Sequence, residues 1–401
     1  MRSCFRLVSL FLLIILLVNC DDKIAKAHKV NIQVQYNNNI TGSGLEMLNV
    51  NAVGVDNKIN KTNSTDESGT TTFKLPSGLY NFSVSFVKNG YNYNGYIENQ
   101  VVKEDGDSFT IDLTESLQQG LVFKEIYYSG SRTPEGKTYT SDQFLEIYNN
   151  TDEVIYLDGL TIGSLQQAAS NENDWINSAN KILNRIALQW HVMYILGSGY
   201  DVSLQPFTSV VIAVDGINHK SDPNGNPNSP VDLGNANWEA YCGDFNGGKD
   251  LDAVGVPNLE LLFSTRHSAN DWTISPNGNN SIIMFKLPQI SDYPTWGENP
   301  NNRSTEPGSS SSTEFLMIPK EYVIDAVELV RPDDGKQHKS LHNDIDAGKV
   351  WCTSSFSGKS IRRKVKEIVD GNVIYQDTNN SSNDFLSDQD PTPGIHPTSV
   401  D

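Results

Sequence analysis

Cysteine is scarce in this sequence, with four residues in 401. Two of them, Cys4 and Cys20, lie near the start, which leaves Cys242 and Cys352 for the body of the chain. Two thiols cannot supply the cross-linked framework of a small secreted module. In an oxidising compartment they can pair with each other or stand as two separate buried thiols. Basic residues are also few: 30 Lys and Arg against 49 Asp and Glu, a formal net charge of −19. That balance disfavours nucleic acid, whose phosphates are held by Lys and Arg, and adhesion to anionic lipid headgroups. Catalytic signatures are missing as well. The stretch Leu196-Gly197-Ser198-Gly199-Tyr200 makes a turn, not a nucleophile elbow, and neither a phosphate loop nor a dinucleotide fingerprint occurs. The expectation is a protein that is not an enzyme and needs no cofactor.

What is present starts at the N-terminus. Arg2 and Arg6 precede an apolar run from Leu7 to Val18. It is shorter than the roughly 20 residues that cross a bilayer, so it reads as a secretory leader. The run closes in Leu17-Val18-Asn19-Cys20 and turns polar at Asp21-Asp22. This resembles the bacterial lipobox, with Asn19 where a small residue is usual, and implies cleavage before Cys20 and acylation of that cysteine. Two or three acyl chains would hold the protein stably at a membrane, at about 0.8 kcal/mol per buried CH₂. Residues 1–19 are then a signal peptide and 20–29 a tether.

From Val30 the pattern alternates: Val30, Ile32, Val34 and Tyr36 are separated by Asn31, Gln33 and Gln35. A period of two predicts strands with one buried face. Turn residues such as Asp66-Glu67-Ser68-Gly69 and Pro76-Ser77-Gly78 punctuate further short strands. Thr65–Gly69 followed by Phe73–Tyr80 resembles the signature of carboxypeptidase-regulatory-like (transthyretin-like) domains. The resemblance implies a small β-sandwich over residues 30–115.

A second unit is expected over 120–401. Leu121–Tyr128, Gln143–Asn150 and Val154–Leu160 resemble the opening strands of the lamin-tail domain, an Ig-like sandwich, and Asp390-Pro391-Thr392-Pro393-Gly394 its close. Val211–Asp215, Asn228–Leu233, Ser360–Lys364 and Tyr375–Phe385 are similar to a family of uncharacterised Bacteroidetes lipoproteins. The predicted fold is therefore all-β, two sandwiches, the larger with long inserts at about 163–200, 219–280 and 291–314. The last is rich in Pro, Asn, Gly and Ser, and reads as a mobile surface loop.

Candidate sites follow from residue type. Asp244, Asn246, Asp250 and Asp252 stand at alternate positions, as oxygen ligands of Ca²⁺ can. Gly248 interrupts the set, Lys249 replaces the turn glycine and a closing Glu is missing, so a solvated acidic loop remains the alternative. His338 and His342 lie four apart, but Lys339 occupies the place of a metalloprotease glutamate. Glu125 and Glu146 fall in strands and are expected on a solvated face or sheet edge. Asp325 and Glu328, three apart on one strand, should face opposite sides. Trp175, Trp238 and Trp272 sit among amides, where rings could stack on a sugar or instead anchor loops.

Asp21-Asp22 behind the lipidated cysteine resemble the surface-export signal of Bacteroidetes lipoproteins, which implies the outward face of the outer membrane. The functional expectation is a non-enzymatic envelope lipoprotein, a binding or accessory component of an uptake system with a β-barrel transporter as partner. A surface hydrolase of glycans or nucleic acid, or a plain spacer or adhesin, remains the alternative.

Overall fold

Alternation from Val30 becomes β1 (Ala27–Tyr36), in which Val30, Ile32 and Val34 are fully buried. In this computed structural model the described residues are 26–36, 44–55, 57–178, 181–243, 250–266, 272–333 and 335–401. The leader, Cys20, Asp21, Asp22, Asp244 and Asn246 lie outside them. After β1 come β2 (Asn49–Gly54), β3 (Asn60–Ser64), β4 (Thr70–Pro76), β5 (Gly78–Lys88), β6 (Tyr91–Val102) and β7 (Ser108–Leu117).

These seven strands run in the order β3-β2-β5-β6-β7-β1-β4, with β1 and β7 parallel and the other neighbours antiparallel. The β6–β7 pairing is confined to Tyr91–Asn94 against Thr114–Leu117. Beyond that corner the two wings face each other. Ile32, Phe73 and Ile111 of one wing share a core with Val50, Phe82 and Val84 of the other. The Phe82 ring lies 6.0 Å from Phe73 and 5.7 Å from Phe109, and each such buried side chain contributes about 1.5–3 kcal/mol. Entry into β4 depends on Gly69. Its φ is +77°, and a Cβ there would stand 2.6 Å from the Val34 carbonyl. Asp66 fixes the same turn by accepting from the backbone N–H groups of Ser68 and Thr70, each at 2.9 Å.

The larger unit opens with β8 (Leu121–Tyr127), the short β9 (Ser131–Arg132) and β10 (Thr138–Tyr139), and β11 (Phe144–Asn149). Next are β12 (Ile155–Tyr156), β13 (Thr161–Ala168), β14 (Arg185–Tyr194), β15 (Ser203–Leu204), β16 (Ser209–Ala213) and β17 (Trp238–Glu239). Then follow β18 (Glu260–Ser264), β19 (Asn280–Phe285), β20 (Arg303–Thr305), β21 (Glu314–Pro319) and β22 (Val323–Val327). The last strands are β23 (Ser360–Arg363), β24 (Val365–Val369), β25 (Asn372–Tyr375) and β26 (Phe385–Gln389).

They build two main sheets, β17-β16-β11-β8-β23-β26 and β20-β21-β14-β13-β19-β22, with β18 joined to β14. Between them Phe123, Leu145 and Ile212 meet Ile162, Met193 and Met284. The second sheet is covered on its far side too: Leu188, Ile283 and Phe285 pack beneath Leu287, Tyr293 and Leu341. Burial on both faces explains why β19 is apolar almost throughout rather than alternating. The fold is all-β, as its strand pattern predicts.

Two expectations change. The stretches read as inserts carry sheet: β13 and β14 occupy much of 163–200, and β17 and β18 lie within 219–280. The 291–314 segment is built onto the sheet by a helical turn, Tyr293–Trp296, and by β20 pairing with β21. Glu125 and Glu146 are not solvated but fully buried, as is Lys124 between them. Its Nζ lies 2.9 Å from Glu146 and 3.2 Å from Glu125 and donates to the Thr392 and Ile395 carbonyls. The C-terminal segment closes over this pair of acids, and no local sequence pattern announces that cover.

Candidate functional site

The outward face of the small sandwich is a ladder of amides and hydroxyls. Strand pairing sets Thr62 opposite Asn51, Asn51 opposite Ser83, and Ser83 opposite Tyr96. Side chains at opposed positions share a face, so β3, β2, β5 and β6 present one lateral row. A second row brings Asn60 and Asn81 alongside Val53. Thr62 Oγ1 donates to Asn51 Oδ1 at 2.7 Å, and Asn81 Oδ1 accepts from the Asn99 N–H at 2.8 Å. The Asn51 and Asn81 amide nitrogens and the Ser83 hydroxyl make no hydrogen bond among the described residues.

Opposite this floor stands the larger unit. Ala347, Gly348, Lys349, Trp351, Asn380, Ser382 and Asn383 complete a cleft of about 300 Å³. Trp351 is half-buried and supplies an aromatic surface. Lys349 is the one cation of the lining, and its Nζ donates to the Gln337 carbonyl at 3.1 Å. Burial, and then Lys339 nearby, lowers its pKa. Ser382 Oγ bonds both the N–H and the carbonyl of Lys349, at 3.0 and 2.9 Å, and so fixes that wall.

The units meet through polar contacts. Asn380 Nδ2 donates to Ser85 Oγ at 2.8 Å, Asn92 Nδ2 to Asn379 Oδ1 at 2.9 Å, and Asn343 Nδ2 to the Tyr96 carbonyl at 3.1 Å. Lys339 Nζ sits 5.7 Å from the centre of the Tyr96 ring. Burial, with Glu98 and Glu328 adding to it, raises the Tyr96 pKa and keeps the phenol neutral. Its hydroxyl is buried with no partner among the described residues, as are both polar atoms of the Asn94 side chain. Tyr96 also borders a second cavity of about 520 Å³ that Glu98, Glu172, Lys339 and Asn343 help to line. Clefts between domains are common ligand sites, and this one offers paired donors and acceptors beside one indole.

Residues 205–392 match the model of a family described as "Protein of unknown function (DUF4876)". The matched stretch contains the Trp351 and Asn380–Asn383 wall of the cleft but none of its floor. The chain is also similar to a crystal structure of a DUF4876 family protein from Bacteroides thetaiotaomicron, at 26% sequence identity and a TM-score of 0.61. That similarity covers 93% of this chain and 99% of the other, so it extends across both sandwiches. Comparison with curated proteins gives no match.

The residues singled out in the sequence are placed elsewhere. Trp175 is buried against Phe315, 6.1 Å between ring centres, and its Nε1 donates to Gln166 at 2.6 Å. Trp272 is buried in the main core of the larger unit, and Trp238 packs against it from β17. All three are corrected from ligand-stacking candidates to loop and core anchors: Trp175 and Trp272 are buried, and the half-buried Trp238 packs against the core. Trp351, the ring that does line the cleft, has no sequence signal, because a lone Trp beside a Cys carries no pattern.

Cys242 and Cys352 are thiols rather than a bridge: Cys242 Sγ donates to the Ala240 carbonyl and Cys352 Sγ to that of Lys359. Burial pushes the Cys352 thiol up to about 11, which leaves it unreactive. Of the acidic loop, Asp250 accepts from the Cys242 N–H at 2.6 Å and Asp252 from Asn258 Nδ2 at 3.2 Å. Asp215 nearby is pushed up to about 7 by burial, with Asp250 and Glu239 adding to it. Among the described residues, no three His, Cys, Asp or Glu are grouped to hold a metal ion. His342 Nε2 instead bonds the Leu183 carbonyl at 2.7 Å.

Asp325 and Glu328 do take different partners. Asp325 accepts from Arg363 Nη2 at 2.5 Å and from the Phe123 N–H at 2.7 Å. Glu328 accepts from Ser281, Ser340 and the Leu341 N–H, with Lys339 at 3.3 Å. Both are structural ion pairs.

Proposed function

We propose that this chain is a lipid-anchored envelope protein that binds its ligand without transforming it, as an accessory to an outer-membrane uptake system. The cleft between the two sandwiches is its binding site. One observation carries the reading: the two units jointly line a cavity, and the hydroxyl of Tyr96 in its lining is buried with no partner among the described residues. A plain spacer has no need of such a cavity, and an unpaired buried hydroxyl costs about 1–3 kcal/mol. The lipobox-like Leu17–Cys20 supports the anchor, and the similarity to a Bacteroides protein suits the export signal read at Asp21-Asp22.

Fatty-acid labelling tests the anchor. Labelling of the wild type and its loss in Cys20→Ala, with the precursor left unprocessed, are expected; unchanged labelling in the variant removes the anchor. Gentle extraction followed by native electrophoresis tests the accessory role. A β-barrel that co-migrates with the protein supports it, and a monodisperse lone protein counts against it.

A further inference from the structure

We infer that the interdomain cleft takes an uncharged polyhydroxylated chain, an oligosaccharide, laid along the Thr62–Asn51–Ser83–Tyr96 row with one ring against Trp351. The inference rests on the reading of the cleft as the binding site and names what fills it.

The lining itself makes the selection. Among the described residues no Asp or Glu lines this cleft, in a chain that has 49 of them. Apart from Lys349 and the Tyr96 phenol, its polar side chains are the amides of Asn51, Asn60, Asn81, Asn380 and Asn383 and the hydroxyls of Thr62, Ser83 and Ser382. An amide carries a donor and an acceptor side by side and a hydroxyl both on one atom; here the Asn51 and Asn81 amide nitrogens and the Ser83 hydroxyl make no hydrogen bond among the described residues. Vicinal sugar hydroxyls present the same pairing. An indole face adds an apolar platform for the C–H face of a pyranose, the usual division of labour in a polar ligand site.

Other ligand classes fit less well. An anionic chain needs cations, but Lys349 is the only one here and is already committed to the Gln337 carbonyl. The surrounding net charge of −19 opposes anions further. An extended peptide gains affinity by adding to an open strand edge. The floor is a sheet face crossed by four paired strands, and its edge strand β3 is tied on the free side to β4, Lys61 Nζ to the Lys74 carbonyl at 2.6 Å and Asn63 Nδ2 to that of Thr72 at 2.7 Å. A lipid or flat apolar molecule would find only Val53, Ala347 and the two rings.

The spacing of the row adds a prediction about length. Neighbouring strands lie about 4.8 Å apart, so four strands extend about 14 Å across the floor. A chain of several sugar units should therefore bind better than one.

The test uses the full mature chain in detergent and isothermal titration. The panel contains malto-, cello-, xylo- and mannohexaose as neutral chains, their monosaccharides, and hexagalacturonate as the acidic contrast. At least one neutral hexasaccharide should bind, at least tenfold more tightly than its monosaccharide, with hexagalacturonate silent. Trp351→Ala should weaken binding at least tenfold, and Asn51→Ala with Ser83→Ala about fivefold or more. Asn81→Asp, an exposed-side change that keeps the fold, should weaken it as well, and reducing ends should not increase during incubation.

Silence from every neutral chain overturns the inference. If hexagalacturonate alone binds, and Trp351→Ala abolishes that, the ligand class is wrong while the cleft stands. If a neutral chain binds with the same affinity in all cleft variants, the cleft is not the site and both readings fall.

Discussion

The two sandwiches are stabilised in different ways. The small one has an apolar core of Val, Ile, Leu, Phe and Tyr, and its carboxylates stay at the surface or in turns, as Asp66 does. In the larger one ion pairs are built into the fold: Lys124 with Glu125 and Glu146, Arg363 with Asp325, Asp377 and Asp384, and Lys339 with Glu328. Distant segments complete these groups: Thr392 and Ile395 cap Lys124, and Arg363 reaches back to the Phe123 carbonyl. The difference teaches that the small unit needs only its own alternation, whereas the large one needs distant segments to arrive before its charges are compensated. Buried pairs contribute little net stability but make the loss of one partner costly.

The largest expected effect tests this contrast directly. Arg363 is fully buried, donates to the Phe123 carbonyl at 2.8 Å, and stands among three carboxylates. Arg363→Leu leaves those acids facing each other and should cost about 3–5 kcal/mol, read as a lower urea midpoint for the whole protein. A loss under 1 kcal/mol would show that the acids are already neutral or hydrated, and the contrast between the units would fade.

The sequence made the small sandwich legible for a physical reason. Every inward residue of β1 and β5 alternates with an outward one, so local order alone marks the core. The larger unit hides its second sheet because both faces are covered and the alternation disappears. Its buried charges were illegible because charge in a strand ordinarily signals solvent. The groups that cover Glu125 and Glu146, Thr392 and Gly394, follow some 250 residues later. The cleft was half legible. Polar positions on β2 and β5 could be read as an outward face, but nothing in them says that Lys349, Trp351 and Asn380 lie opposite.

Acid should act mainly on the larger unit, and two buried groups there oppose each other. His219 is lowered to about 4 by burial. Its Nε2 faces the Asp215 carbonyl, which can only accept, so Nε2 carries the proton and Nδ1 accepts from Tyr139 Oη at 2.8 Å. A neutral imidazole in the fold binds fewer protons than the same group unfolded. Its contribution is therefore complete above about pH 6.5 and lost as pH falls toward 4.

Asp142 is pushed up to about 6 by burial, against donors from Ser131, Ser229 and Tyr127. Its effect has the opposite sign: the fold holds the extra proton, so stability from this group rises as pH falls from about 6 to 4. His219→Gln should remove the first effect and leave the second. Between pH 7 and 4 the variant should lose about 3 kcal/mol less stability than the wild type, at about 1.4 kcal/mol per pKa unit. Urea unfolding across that range measures it, and parallel curves for the two proteins would place the acid response elsewhere.

The smallest effect concerns the face where the units meet. Asn94 on β6 is fully buried, yet neither its side-chain nitrogen nor its side-chain oxygen has a partner among the described residues. It stands beside Asn92, whose carbonyl oxygen is also unpaired, and Tyr96, whose hydroxyl is. These groups belong to the small unit's outward face, so the penalty falls on the contact between units and not on the core of either. Asn94→Leu keeps the approximate size and removes two unsatisfied polar atoms, which should stabilise the protein by about 1 kcal/mol. The gain should show as a higher urea midpoint. A loss of similar size would instead mean that bound water satisfies the amide. The units would then meet through a hydrated seam, continuous with the polar floor of the cleft beside it.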